Sequence, residues 1–335
     1  MKSIVLIIPY FGKLPYYFDL WKASAKHNST IDFMFFTDIP EIEEDGNIKV
    51  VKISFNDFAN KFKDKFDFNL SLNSPYKLCD FRMAYGYVLQ EYIKNYDFWG
   101  HCDIDLIFGD IRSFITEDVL NANDKILEHG HFTLYRNTEE VNTLFMKEKG
   151  FKDYDYKYIF ATPESMYFDE IFGARWICRK LNVPTYLNKN AFFDVLEKEK
   201  EFTHISDDFS KSVFKYDNGK LFALSLAGDK TQEKEIMYAH FQKRKMDYSA
   251  YIFGEKFYIV PNKLVLAKNV KSESSLFKVK GKRLYKLKKK IEHIKTYLNR
   301  YFKGNYKSFK AYRKERKAFR LDMINAKNEL KKWEN

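Results

Sequence analysis

Two aspartates one residue apart, Asp103 and Asp105, follow the apolar run Phe98-Trp-Gly-His-Cys102, and apolar residues resume at once in Leu106-Ile-Phe108. In a strand, positions two apart face the same side, so both carboxylates converge on one point. Like charges that close repel unless a cation lies between them. A divalent ion is the simplest neutraliser. Mn²⁺ or Mg²⁺ takes about six oxygen ligands and usually shares them with substrate phosphates, so the spacing predicts metal-assisted handling of a diphosphate, with Asp103 and Asp105 as ligands. Ahead of the pair, Lys77, Asp80 and Arg82 supply the donors and the acceptor that a nucleotide diphosphate needs. The plain alternative for Asp80 and Arg82 is a solvated helix face.

The elements that must position these residues read as an α/β sheet. Up to about residue 190 short apolar runs alternate with amphipathic stretches, giving expected strands at 4–8, 32–36, 48–53, 98–102, 132–135 and 183–187. Ser74 followed by Pro75 marks a helix start, and the predicted helix runs to about residue 93, straight into the strand that delivers Asp103. Between Phe214 and Leu224 a hairpin is expected, because Asn218-Gly219 supplies the positive φ angles of a tight turn. The globule is expected to end after Ile259-Val-Pro261. Residues 1–262 thus form one mixed-sheet domain flanked by helices, and residues 275–335 a basic helical extension.

Charge separates the two parts. The 335-residue chain carries a formal +12, yet residues 276–335 hold 21 Lys or Arg against 5 Asp or Glu, a formal +16 that leaves −4 for residues 1–275. A mildly acidic globule therefore carries a cationic tail. In the tail Leu284, Leu287, Ile291, Ile294, Leu298 and Tyr301 alternate three and four apart. Phe309, Tyr312, Phe319, Met323, Ala326, Leu330 and Trp333 repeat the pattern after Gly304-Asn305, interrupted at Arg316. A basic helical hairpin is the expected form. Aromatics make up 18% of the chain, enough apolar area for a large core. No run approaches the roughly 18 apolar residues that span a bilayer, and the apolar stretch at 4–8 is too short for a signal peptide. Cys79, Cys102 and Cys178 form neither a disulfide framework nor a metal spacing, which points to a reducing cytoplasm.

Ser74-Pro-Tyr-Lys-Leu-Cys-Asp-Phe-Arg-Met-Ala-Tyr-Gly86 with Phe98-Trp-Gly-His-Cys-Asp-Ile-Asp-Leu-Ile-Phe-Gly-Asp110 resembles a bacterial family of formerly uncharacterised proteins. Its members look like GT-A-fold glycosyltransferases and often sit among surface-polysaccharide genes. The similarity continues through 131–142, Phe168-Asp-Glu-Ile-Phe-Gly173 and Ala239-His-Phe-Gln-Lys-Arg-Lys-Met246. It covers roughly residues 1–260 and leaves the tail outside. The resemblance implies a GT-A-like, Rossmann-type mixed sheet and transfer of a sugar from a nucleoside diphosphate sugar, expected to be a UDP-sugar, to a hydroxyl of a bacterial surface glycan such as capsule or lipopolysaccharide.

By that resemblance Asp80 and Arg82 join Lys77 as donor-site candidates, and Asp103-Ile104-Asp105 becomes the metal–diphosphate motif. Pro9, Tyr10 and Phe11 after the first strand, and Thr37 and Asp38 after the second, lie where loops at strand carboxyl ends meet the nucleobase and ribose. Tyr10 would stack on uracil, or be an ordinary buried aromatic. His240 would complete the metal shell, with Lys243 and Arg244 neutralising the departing diphosphate; a satisfied core histidine is the alternative. Asp169 or Glu170, expected to open a helix over 168–181, would be the general base of an inverting transfer. Acids in a first turn are also favoured by the helix dipole alone.

Two other classes of protein carry similar residues. A phosphohydrolase with an aspartyl nucleophile usually places such a motif on its first strand, not at residue 103. A non-catalytic anion- or lipid-binding protein would act through its tail, because cationic helices with apolar stripes are drawn to anionic lipid. For a transferase with a polyprenyl-linked glycan acceptor, that tail predicts a peripheral position on the inner face of the plasma membrane. Nucleic acid would attract the same charge, but no base-reading motif accompanies it. The stripes would equally serve a coiled-coil homo-oligomer.

Overall fold

The computed structural model describes residues 1–197, 199–204, 211–228, 230–242, 244–249, 254, 256–304 and 307–332. The chain divides into two compact units, Met1–Lys189 and Asn190–Asn335. The first is mixed α/β, a central mixed sheet flanked by helices.

Its strands are β1 (Ile4–Pro9), β2 (Ile31–Thr37), β3 (Ile48–Lys52), β4 (Phe98–Cys102), β5 (Leu106–Phe108), β6 (Lys125–His129), β7 (Phe132–Arg136) and β8 (Thr185–Tyr186). Seven of them form one sheet in the order β3-β2-β1-β4-β7-β6-β8. The first four run parallel, β7 is antiparallel to both β4 and β6, and β8 runs parallel to β6. β1 and β4 are buried almost along their whole length, as continuous apolar strands covered on both faces must be. The helix Phe18–Lys26 seats Trp21, fully buried, edge-on against Phe33, Phe35 and Phe108. Truncating such a residue to alanine costs about 3–5 kcal/mol. Every expected strand of this unit is present, β4 with the expected bounds; β8 keeps only two residues of the run expected at 183–187.

The segment before β4 departs from expectation. Pro75–Ala84 winds as a 3-10 helix, followed by short α-turns at Tyr85–Val88 and Gln90–Ile93, and the Ser74 side chain makes no cap. In the tighter winding, side chains three apart eclipse. That brings Lys77 onto Asp80, Nζ to Oδ2 at 2.7 Å. The helix expected from residue 168 begins at Ala174 and ends at Lys180, with no acid in its first turn.

The second unit contains β9 (Phe192–Asp194), β10 (Ser212–Asp217), β11 (Lys220–Ala227), β12 (Lys230–Ile236), β13 (Tyr238–His240), β14 (Phe257–Val260) and β15 (Lys263–Leu266). An antiparallel sheet runs β12-β11-β10-β14-β15, and β9 pairs with β13 in parallel. The turn at Asn218 (φ 47°) and Gly219 (φ 81°) joins β10 to β11 as expected. The same unit carries two long helices, Lys282–Lys303 and Phe309–Lys332, whose junction packs Tyr297 and Tyr301 against Phe309 and Tyr312.

Candidate active site

Strand order reverses between β1 and β4: β2 and β3 lie to one side of β1, β4 to the other. In open α/β sheets the crevice outside the carboxyl ends of the strands at such a switch point is where ligands bind. Asp103 is the first residue beyond β4, and Tyr10 the first beyond β1. Carboxylate oxygens of Asp103 and Asp105 lie within 4.8 Å of each other. The backbone fixes this corner, since the Asp103 amide donates to the His131 carbonyl at 3.0 Å and Trp21 Nε1 donates to the Asp103 carbonyl at 3.3 Å. Asp103 keeps 31% of its side chain exposed, whereas Asp105 and Ile104 are buried. Burial first, and the Asp105 charge second, hold the Tyr10 phenol above its ordinary pKa, and Tyr17 is raised by the same two causes. Both phenols stay protonated beside the acid.

Arg82 organises the open side. Its Nη2 reaches Asp103 Oδ1 at 2.5 Å, and its Nη1 reaches both Asp169 Oδ2 at 2.8 Å and the Gly130 carbonyl at 2.5 Å. Glu170 Oε1 takes the Gly130 amide proton. Asp169 and Glu170 thus lie in the turns ahead of the helix, where Tyr167 adopts a φ of 53°, and each is engaged by the site rather than by a helix N-terminus. Burial pushes the Asp169 carboxyl up to about 8; Arg82 opposes the shift, while Glu170 and Asp80 add to it.

Lys77 and Asp80 face inward. Lys77 Nζ also donates to the carbonyls of Ile159 (3.0 Å) and Glu164 (2.7 Å), and Asp80 accepts the amides of Met166 and Phe168. Both are nearly inaccessible, at 2% and 0%. The pair holds the 164–168 backbone and so sets Asp169 against Arg82; neither offers a group to a ligand at the surface. Phe11 packs on Phe55 and Phe58. The Tyr10 hydroxyl donates to the Lys13 carbonyl, Thr37 is buried and takes the Ile39 amide on Oγ1, Pro9 is half-buried, and Asp38 is exposed.

In the second unit His240 ends β13 opposite Asp194 of β9, with Nδ1 and Oδ1 2.9 Å apart. A carboxylate on one ring nitrogen fixes the tautomer. Arg244 is 1% exposed, lies over the Phe202 and Tyr285 rings at 4.9 and 5.1 Å, and donates to the Lys200 carbonyl. Burial lowers its pKa. Lys243 lies outside the described residues.

Gly130 and Asp194 were not singled out from the sequence. Asp194 did carry a signal, an acid ending the apolar run Ala191-Phe-Phe193, the same pattern that exposed Asp103. Gly130 shows only as a glycine between two histidines.

Fold and cluster together define an α/β protein with an acid-and-guanidinium site at the carboxyl ends of its parallel strands. The chain belongs to a family of unknown function (DUF6625), matched over residues 6–268, short of the two basic helices. No curated protein matches it. Among solved structures it is similar to the galactosyltransferase LgtC in complex with donor and acceptor sugar analogues, at 16% identity over 57% of this chain and 75% of that one, TM-score 0.34. An active-site mutant of LgtC aligns at 15% identity over the same shares, TM-score 0.32.

Proposed function

We propose that this chain is a metal-dependent glycosyltransferase that moves a sugar from a nucleoside diphosphate sugar, a UDP-sugar by preference, to a hydroxyl of a bacterial surface glycan. The observation that carries the reading is the pair Asp103 and Asp105, with ligand atoms within 4.8 Å at the switch point of a parallel sheet. Hard carboxylate oxygens suit Mn²⁺ or Mg²⁺, so the residues fit the ion. When bound, it would supply charge neutralisation for a leaving diphosphate. In the second unit, Asp194 steadies the His240 ring.

The chain's own groups do the rest. Arg82 spreads its charge between Asp103 and Asp169, ready to turn its fork toward a phosphate oxygen. Asp169 is the proposed proton acceptor: its raised pKa lies nearer neutrality, where a general base works best. In the transfer, the acceptor oxygen forms a bond to the anomeric carbon and gives its proton to Asp169. The bond from that carbon to the diphosphate oxygen breaks, and the nucleotide leaves with the electron pair.

The test is a panel of nucleotide sugars incubated with Mn²⁺ and assayed for released nucleotide. Turnover of one donor that disappears in Asp103→Asn and Asp105→Asn supports the assignment. No turnover with any donor, with or without glycan acceptors, would count against it.

A further inference from the structure

The two basic helices were expected to bury their apolar stripes against each other, and the first does not. Its carboxyl-terminal end joins the hairpin through Tyr297 and Tyr301. Upstream, Leu284, Leu287, Ile291, Ile294 and Leu298 are 59, 55, 45, 48 and 38% exposed, and Phe302 is 77% exposed. At about 100° per residue these six fall within one arc of about 80°. Another face fastens the helix to its own unit. Tyr285 Oη donates to the Glu197 carbonyl, Lys289 pairs with Glu197 at 3.0 Å, Lys286 with Glu199 at 2.9 Å and Lys282 with Glu201 at 2.5 Å. The apolar row is thus held outward while four polar side chains anchor the helix.

The cations that edge the row are arranged to match. Arg283 and Lys290 flank it on one side, Lys288 and Lys295 on the other. All four are exposed and none is in an ion pair among the described residues. Over Lys282–Lys303 nine Lys or Arg stand against one acid, Glu292.

We propose that this helix lies in the plane of an anionic lipid surface, with Leu284, Leu287, Ile291, Ile294, Leu298 and Phe302 sunk among the acyl chains and Arg283, Lys288, Lys290 and Lys295 on the headgroup phosphates. An apolar face with cations along both edges is the pattern of an interfacial helix. A second copy of the chain is the poorer occupant, because pairing two such rows sets nine cations against nine. Nucleic acid would meet the cations and leave the apolar row in water. Among the described residues no helix is long and apolar enough to cross a membrane; this one would lie on it.

The test is flotation of the full chain with vesicles of phosphatidylcholine alone and of equal parts phosphatidylcholine and phosphatidylglycerol. Binding to the anionic vesicles only is expected. The exposed-row variant Leu287→Gln/Ile291→Gln/Ile294→Gln should lower the partition coefficient roughly tenfold or more, and Lys288→Glu/Lys295→Glu by a similar factor. Unchanged Tm in both variants shows that the fold survives. Equal flotation of the wild type and both variants overturns the proposal, as does equal binding to neutral vesicles. A wild-type dimer that the glutamine variant makes monomeric assigns the row to a second copy instead and also overturns it. Duplex DNA binding that survives the glutamine variant, with no vesicle binding by the wild type, does the same.

Discussion

Arg82 and Asp169 meet through Nη1 and Oδ2 at 2.8 Å, while the other terminal nitrogen of the same guanidinium holds Asp103 at 2.5 Å. One cation therefore links a carboxylate with 4% of its side chain exposed to one with 31%. Losing the guanidinium is felt mainly on the buried side. Removing one partner of a buried pair costs about 3–5 kcal/mol, because the other charge is left uncompensated. Arg82→Ala should lose little through this contact at pH 5, where the native Asp169 already carries a proton, and more above pH 8, by up to about 1.4 kcal/mol per pH unit. Arg82→Ala/Asp169→Asn should recover most of it. Urea unfolding of the three variants measures the coupling, and additive losses would show that the contact carries no energy.

Asp169 has a folded pKa of about 8 against an ordinary 3.8, with burial the largest cause. The native chain then keeps a proton that the unfolded chain has lost over that interval, so stability declines as pH rises from about 4 to about 8, by at most about 1.4 kcal/mol per pH unit. Asp169→Asn removes this contribution. Its stability relative to wild type should climb with pH across the interval, read as the difference of two Tm-against-pH curves. Parallel curves would mean that the carboxyl titrates at its usual value.

Gly130 sits where two acids and the guanidinium close in. A Cβ there would lie 2.7 Å from Asp169 Oδ2, 2.8 Å from Glu170 Oε1 and 3.2 Å from Arg82 Nη1. Overpacking costs about 1–3 kcal/mol, and every displaced atom belongs to the proposed site. Gly130→Ala should fold with a modestly lower Tm and lose turnover by a larger factor than Tm suggests. A variant with normal turnover would detach Gly130 and its neighbours from the chemistry.

What was legible in the chain follows from distance along it. Asp103 and Asp105 show themselves through a period of two, a local property, and β4 was bounded correctly because its run is continuous and apolar. Arg82 meeting Asp169 across 87 residues has no local signature. Lys77 and Asp80 carried charge that reads as surface, yet a 3-10 winding stacks them and the 159–168 backbone satisfies them. β12 was missed because Lys-Thr-Gln-Glu-Lys-Glu-Ile is polar or charged at every position but the last, as suits a strand at the sheet edge. The apolar stripe of the helix Lys282–Lys303 was visible; that it faces outward was not, since periodicity fixes a face and never its partner.

Asp80 separates a scaffold role from a ligand role. Its carboxylate, 0% exposed, accepts the Met166 and Phe168 amides and the Lys77 ammonium. Asp80→Asn leaves the buried Lys77 without its counter-charge and turns an amide donor toward other donors. The expected loss is about 3 kcal/mol, seen as a lower denaturation midpoint with an unchanged m-value. If the variant keeps full stability and only raises KM for the donor, the carboxylate touches ligand after all.

Asp103 and Asp105 make a prediction that needs no knowledge of the sugar. If the two carboxylates hold a divalent ion that in turn holds a diphosphate, neither Mn²⁺ nor UDP alone completes the ligand set, and the pair together does. A ligand at about 100 times its Kd, bound only by the folded chain, stabilises it by about 2.7 kcal/mol. For domains of this size that is on the order of 5–10 °C in Tm. Wild type should show this rise with Mn²⁺ and UDP together and little with either alone. Asp103→Asn is the sharper variant of the two, because its carboxylate is open to solvent and its loss frees Arg82 without emptying a buried position; it should fold with near-normal Tm and lose the joint shift. Asp105→Asn should lose the shift as well, with some loss of basal stability from its buried site. A joint rise equal to the sum of the separate ones, or one that survives both substitutions, would place the nucleotide elsewhere and remove the basis for reading the pair as a metal–diphosphate site.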